Sequence, residues 1–137
     1  MMRIVVDASI CLAWSFPDER DDEALAAGRA VVGAGAIVPA LWRWEIQNAL
    51  CYAERRGRLP VARVDEILRS LQALPISVDP EAMLRRLGRE LQLARRFALT
   101  VYDAAYLELA VRTGLALATH DKRLAAAAAD MGVQWKA

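Results

Sequence analysis

The stretch Leu115-Ala-Leu-Ala-Thr119-His-Asp121-Lys-Arg-Leu124 contains the unit that decides the fold: a short apolar run, an acid and the start of a helical pattern. The same order repeats along the chain. Strands are predicted at 4–6, 36–38, 76–78, 115–119 and, weakly, 133–135, and helices at about 20–32, 41–56, 61–73, 80–97, 101–113 and 122–131. This alternation predicts a three-layer α/β/α sandwich with a mostly parallel sheet of about five short strands.

Length and composition exclude several classes of protein. A chain of 137 residues is typical of one domain, which we expect to span residues 1–137. The net charge of +1 creates no general attraction for polyanions, and a single histidine excludes a metal site built on several histidines. Two cysteines in apolar stretches suggest no disulfide framework, and the longest uncharged run near the middle, 30–42, is too short to span a bilayer. We therefore expect a cytoplasmic protein that does not contact a membrane.

Glu45 lies where a solvated acid is not expected. On a wheel of the helix predicted over 41–56, Arg43 and Gln47 fall on the polar side, whereas Glu45 falls in the middle of the apolar side. Asn48, one turn further on, adds a second polar group near that side. This placement indicates a function for Glu45 that is not simple solvation.

Asp103 repeats this pattern on the helix predicted over 101–113. Glu108 and Arg112 are expected on its solvated side and Asp103 opposite them. A capping box, with Thr100 as the N-cap and the Asp103 carboxylate reaching back, is an equally good explanation. Asp7 and Asp121 each close an apolar strand, where an isolated aspartate most often caps the following helix.

The four acids are harder to explain as a group. Two follow strands and two lie on core-facing sides of helices, so a parallel sheet can bring them to one crevice at its carboxyl edge. Two carboxylates 4 Å apart would repel by roughly 4 kcal/mol at an effective dielectric constant near 20. A hard divalent cation with oxygen ligands, Mg²⁺ or Mn²⁺, would relieve that repulsion and suits phosphoryl chemistry.

Four segments, in order, resemble the acidic motifs of the PIN-domain family, and specifically VapC-type ribonuclease toxins of bacterial toxin–antitoxin pairs. They are Ile4-Val-Val-Asp7-Ala-Ser9, Trp44-Glu45-Ile-Gln-Asn48-Ala-Leu50, Leu99-Thr-Val-Tyr-Asp103-Ala-Ala-Tyr-Leu-Glu-Leu-Ala110 and Leu117-Ala-Thr119-His-Asp121-Lys-Arg-Leu124. No single motif is specific, since a strand ending in Asp is common. Their ordered combination is specific, and it covers essentially the whole chain.

The resemblance implies a PIN-like fold and an endoribonuclease that hydrolyses RNA phosphodiesters with Mg²⁺ or Mn²⁺. By motif, Asp7 and Asp103 would be the principal metal ligands, and Glu45 and Asp121 would complete the catalytic set, directly or through water. Ser9 and Thr119 would support these acids through their hydroxyls, although capping or strand packing explains them equally well. Asn48 joins them as a supporting residue, and Arg123 is the candidate for a phosphate contact.

The resemblance also implies partners: a cognate antitoxin, an RNA substrate and a second copy of the chain in a homodimer. Trp14, Trp42 and Trp44 either belong to the core or line a groove that an antitoxin tail fills. One alternative is a PIN-fold module that binds RNA or protein without cleavage. A signalling receiver domain is disfavoured because Ala8 and Ser9 follow Asp7 where that fold has a second acid, and Ser9 likewise disfavours aspartate-based phosphatases.

Overall fold

The computed structural model describes residues 2–137, which form four strands, seven α-helices and two short 3₁₀ turns. The strands are β1 (Ile4–Val6), β2 (Ala36–Val38), β3 (Ile76–Val78) and β4 (Leu117–Ala118). The helices are α1 (Ala8–Ser15), α2 (Asp22–Ala34), α3 (Leu41–Arg55), α4 (Val61–Gln72), α5 (Arg89–Phe97), α6 (Val101–Thr113) and α7 (Lys122–Asp130). The 3₁₀ turns are Pro17–Glu19 and Ala82–Leu84.

The sheet is parallel throughout, with the strand order β3-β2-β1-β4. Because β1 lies between β2 and β4, the residues that follow β1 and β4 emerge side by side at the carboxyl edge. The predicted fifth strand is reduced to one parallel bridge between Leu117 and Gln134. This edge is where the sequence places Asp7 and Asp121.

Alternation along the strands produces the three layers. Val5, Ile37 and Leu117 point to one face, where α6 and α7 cover them, whereas Ile4 and Val6 point to the opposite face, under α1 to α4. Successive side chains of a strand point to opposite faces, so three-residue strands are long enough to contribute to both cores. The predicted three-layer parallel α/β fold is confirmed. None of the helices described over residues 2–137 combines the length and apolar character needed to cross a membrane.

Two helix predictions were wrong, each for an identifiable reason. Helix α1 was not predicted, because its residues are buried on most sides and it lacks the amphipathic period of a surface helix. The helix predicted over 80–97 begins only at Arg89, because Gly88 adopts a φ of 122° and interrupts it. That conformation is accessible to glycine and disfavoured for other residues.

The expected solvated side of α6 is instead a buried ion cluster. The Arg112 side chain is 7% exposed and contacts Asp79 at 2.5 Å and Glu108 at 2.9 Å, and both of these acids are 3% exposed. Glu81 completes the cluster from the surface at 3.1 Å. Burial acts to raise the pKa of Asp79, but the hydrogen bonds and charge of Arg112 outweigh it and lower that pKa. The cluster joins the end of β3 to α6, a contact that a single-helix wheel cannot reveal.

Candidate active site

Asp7 lies at the carboxyl end of β1 and is buried at 6% exposure. It is the N-cap of α1, because its Oδ1 accepts a hydrogen bond from the backbone N–H of Ile10 at 3.2 Å. The same oxygen accepts a hydrogen bond from Ser9 Oγ at 2.5 Å, and Oδ2 accepts one from the Thr119 hydroxyl. The capping role expected of an isolated aspartate is therefore real, but two hydroxyl donors hold the carboxylate as well.

Both hydroxyls connect Asp7 to the loop that follows β4. Ser9 Oγ accepts a hydrogen bond from the backbone N–H of His120 at 3.0 Å, and Thr119 Oγ1 accepts one from the backbone N–H of Asp121 at 3.0 Å. Each hydroxyl thus donates its proton to Asp7 and accepts from this loop. The pairing of β1 with β4 makes this possible, and it fixes the position of the loop relative to Asp7.

Asp121 and Asp103 lie at the starts of two helices. Asp121 is exposed and caps α7, because its Oδ1 accepts from the backbone N–H of Leu124 at 2.8 Å. At α6, the Thr100 hydroxyl is the cap and accepts from the backbone N–H of Asp103 at 3.1 Å. The backbone N–H of Thr100 does not donate a hydrogen bond to the Asp103 carboxylate. Only one of the two hydrogen bonds of the predicted capping box therefore forms. The Asp103 carboxylate is half-buried, with the Thr100 hydroxyl as a side-chain neighbour.

Glu45 occupies the first turns of α3, where it is half-buried. Its Oε1 accepts a hydrogen bond of 2.5 Å from the phenol of Tyr106, a residue of α6 that is 1% exposed. Tyr106 was not among the predicted site residues. The available signal was its position three residues after Asp103, which places both side chains on the same side of α6.

Electrostatics shows that the acids lie close enough to affect one another. Burial is the largest cause of a raised pKa at Asp7, Glu45 and Asp103. Repulsion adds to it: the charge of Asp103 raises the pKa of both Asp7 and Glu45, and that of Asp121 raises the pKa of Asp103. The fold therefore collects negative charge at one place and partly removes it from water.

The donor set fits a hard divalent cation. All four side chains offer carboxylate oxygens, and Asp7 is held in a fixed orientation. The acids do not form a tight cage: within residues 2–137, three candidate ligand atoms lie within 4.8 Å of one another only at Asp21, Glu23 and His120, a largely exposed group. An open arrangement suits Mg²⁺, which usually keeps several waters and takes one or two carboxylates.

A groove of about 930 Å³ runs from Glu45 along α3 and α4. We call it the α3–α4 groove; its lining is Leu41, Trp44, Glu45, Gln47, Asn48, Leu50, Cys51, Glu54, Val64, Asp65, Leu68 and Tyr102. The lining is mainly apolar and its charged members are all acidic. Asn48 is exposed in this groove on the side of α3 that carries Glu45.

The tryptophans and Arg123 have different environments. Trp14 and Trp42 are partly buried, with indole hydrogen bonds to the carbonyl of Ala24 at 2.6 Å and to Cys11 Sγ at 3.4 Å, respectively. Trp44, in contrast, is 64% exposed beside Glu45. Arg123 is exposed and its guanidinium donates to the carbonyl of residue 98 at 3.2 Å. Of these three tryptophans, Trp44 is the one that lines the α3–α4 groove.

Comparison with known proteins gives a consistent result. Residues 4–130 match the model of the PIN domain. The chain is 34% identical to Ribonuclease VapC3 of Pyrobaculum aerophilum over 125 residues, which cover 90% of this chain and 93% of the relative. It is 36% identical to Ribonuclease VapC3 of Mycobacterium tuberculosis H37Rv over 130 residues, covering 91% and 87% of the two chains.

A solved structure agrees with these relatives. The crystal structure of PAE2754 from Pyrobaculum aerophilum superposes with a TM-score of 0.71 at 25% identity, covering 92% of this chain and 84% of that one. The family model, the two ribonucleases and the solved structure thus each match this chain over nearly its whole length. The chain belongs to the PIN-domain family, among the VapC ribonucleases.

Proposed function

We propose that this protein is the toxin of a toxin–antitoxin pair, a cytoplasmic endoribonuclease that hydrolyses RNA phosphodiesters with Mg²⁺ or Mn²⁺ at Asp7, Glu45, Asp103 and Asp121. The observation that carries the proposal is the buried Asp7 carboxylate, held by two hydroxyls at the carboxyl edge of the sheet beside two other acids whose pKa values are raised. Keeping these charges together is unfavourable unless a cation binds there.

Asp7 and Asp103 would hold the ion, and Glu45 and Asp121 would complete its surroundings directly or through water. When bound, such an ion supplies positive charge against the phosphate and lowers the pKa of a bound water. The PIN-domain ribonucleases are generally metal-dependent as a family. The raised pKa values of Asp7, Glu45 and Asp103 reflect the same unfavourable charge that a cation would offset.

The remaining side chains orient the acids and the substrate. Ser9 and Thr119 fix Asp7, so that its free lone pairs point in a constant direction. Carboxylate oxygens not engaged by protein donors can accept hydrogen bonds from the attacking water and set its line of approach to phosphorus. Asn48, on the side of α3 that carries Glu45, would support that acid, and Arg123 would contact a phosphate near Asp121.

The α3–α4 groove is where we place the antitoxin. Its apolar lining and the acidic side chains of Glu54 and Asp65 complement an amphipathic basic segment, and Trp44 offers a large exposed anchor. A segment bound there would lie against Glu45 and block the acids. We assign the homodimer contact to Met83, Leu84 and Leu87, three apolar side chains close together in the sequence that are 91%, 86% and 101% exposed.

The decisive test is induction of the wild type and of Asp7→Asn in cells, followed by sequencing of RNA 5′ ends. We expect growth arrest and new 5′ ends with the wild type only. Asp130→Asn, which changes an exposed acid at the far end of α7, is the matched control and should behave as the wild type. Equal growth and no new ends with all three proteins would refute the toxin function and favour a module that binds without cleavage.

The metal requirement is tested with purified protein and a labelled RNA. EDTA should abolish cleavage, and Mg²⁺ or Mn²⁺ added in excess should restore it. Cleavage that persists in EDTA would overturn the proposed chemistry while leaving the fold and the family assignment unchanged.

A further inference from the structure

The Tyr106–Glu45 hydrogen bond is a long-range contact that joins two helices at the site. The phenol of Tyr106 on α6 donates to Oε1 of Glu45 on α3 at 2.5 Å, across 61 residues of sequence. A carboxylate can only accept, so the direction of the bond is fixed. The ring itself belongs to the core under α6 and α7, which immobilises the donor.

A purely structural role explains only part of this arrangement. A buried tyrosine needs a hydrogen-bond acceptor, and a backbone carbonyl would satisfy it at less cost than a half-buried carboxylate. Here the acceptor is an acid that burial and its acidic neighbours make unfavourable in the charged state. The pairing therefore favours one orientation of Glu45 as much as it satisfies Tyr106.

The Tyr106 hydrogen bond also makes the two carboxylate oxygens of Glu45 different from each other. Oε1 is engaged by Tyr106, and over residues 2–137 no protein group donates a hydrogen bond to Oε2. Because the glutamate side chain has three rotatable bonds, it would otherwise sample several positions. With one oxygen fixed by a rigid phenol, the other is presented in a constant direction.

We infer that Tyr106 is a positioning residue that orients Glu45 so that Oε2, to which no protein group within residues 2–137 donates, is presented to the metal and its water. The inference rests on the proposed function, since it assigns to Tyr106 a task in that same site. Removing a side chain that hydrogen-bonds a metal ligand typically lowers metal affinity or activity by about 10- to 100-fold.

The test is Tyr106→Phe, which keeps the ring and removes the hydroxyl. Its matched control is Tyr52→Phe, on α3 and outside the α3–α4 groove, where the side chain is 55% exposed. Mn²⁺ affinity, measured by calorimetry on the full chain, and cleavage of a labelled RNA are compared. We expect about a 10- to 100-fold loss of Mn²⁺ affinity for Tyr106→Phe and none for Tyr52→Phe.

A double-mutant cycle separates positioning from packing. In a Glu45→Ala background there is no carboxylate to orient, so adding Tyr106→Phe should leave Mn²⁺ affinity unchanged. Wild-type affinity for Tyr106→Phe, or an undiminished loss in the Glu45→Ala background, would overturn the inference. Full cleavage by Glu45→Ala would instead refute the proposed function of the site.

A second variant keeps the inference testable if Tyr106→Phe does not fold. Glu45→Asp keeps the charge and withdraws it by one methylene from the phenol, so its Mn²⁺ affinity should fall by a similar factor. Wild-type affinity in Glu45→Asp would show that the orientation set by Tyr106 is dispensable, which contradicts the inference.

Discussion

Replacing Asp7 by Asn should abolish cleavage and, without metal, make the protein more stable. Burial is the main reason why the pKa of Asp7 is raised, and the charge of Asp103 adds to it. A raised pKa means that the folded state binds protons more tightly than the unfolded one, so the ionised group destabilises the fold at neutral pH. Asparagine is neutral and nearly isosteric, and the hydroxyls of Ser9 and Thr119 can rotate to match its amide.

The magnitude follows from linkage. Each pKa unit gained on folding costs about 1.4 kcal/mol once the group is ionised in both states. With an unfolding entropy of about 2.1 cal/mol/K per residue, 1 kcal/mol moves the melting temperature of this 137-residue chain by about 3.5 °C. We therefore expect Asp7→Asn in EDTA at pH 7.5 to melt a few degrees above the wild type.

The pH dependence of the melting temperature is a second check that Asp7→Asn stabilises the metal-free protein. The cost of Asp7 is absent below its unfolded pKa, near 3.8, grows as pH rises towards the folded value, and is complete above that value. The gap between variant and wild type should therefore close as pH falls. Adding Mn²⁺ should raise the melting temperature of the wild type only. At a free Mn²⁺ concentration 100 times the dissociation constant, binding stabilises the folded state by about 2.7 kcal/mol.

The assay is calorimetric or fluorescence melting of the two proteins beside Asp121→Asn. That control changes an exposed N-cap, and asparagine is an equally good N-cap, so its metal-free melting temperature should stay close to that of the wild type. An Asp7→Asn protein that melts well below the wild type in EDTA would show that the carboxylate is a structural cap, and the reasoning from buried charge would be refuted.

Three further predictions concern other groups. Thr119→Val should lower cleavage about 10- to 100-fold, measured on labelled RNA, because Asp7 loses a hydroxyl donor; unchanged cleavage would contradict that role. Arg112→Met should cost about 3–5 kcal/mol in urea unfolding, because it leaves two buried carboxylates unpaired. Arg96→Met removes an exposed ion pair with Asp130 and a contact with the Phe97 ring, and should cost less than about 1 kcal/mol. Trp44→Ala should weaken binding of the antitoxin, measured by calorimetry, without lowering the melting temperature, and equal binding would argue against the α3–α4 groove as its site.

The layers of the fold could be predicted because their signals are local. Apolar runs such as 4–6 and 36–38 alternate with helical patterns, and a parallel α/β sheet is the usual way to bury both. The same local reasoning failed at α1, where burial on most sides removes the helical period, and over 80–97, where the conformation of Gly88 ends the pattern. Hydrophobic periodicity identifies the buried side of a helix or strand only when its other side is exposed to solvent.

The ion cluster around Arg112 shows the limit of the helical wheel. Glu108 and Arg112 are one turn apart and charged, which is typical of a solvated side. Asp79 follows the end of β3, more than 30 residues earlier in the chain, and forms an ion pair with Arg112. This pair allows the charged side chains to be buried without contact with water. A wheel describes one helix and contains no information about a partner from another element.

The sequence by itself determined the α/β class, the order of the acidic motifs and the unusual placement of Glu45 and Asp103, because these depend on patterns within single elements. Only the tertiary structure decided what surrounds each acid: two hydroxyls at Asp7, and a buried phenol at Glu45. Ser9 lies only two residues after Asp7, but Thr119 and Tyr106 come from elements far from their acids in the chain. Those distances exist only after the sheet has paired β1 with β4 and the helices have packed on its two faces.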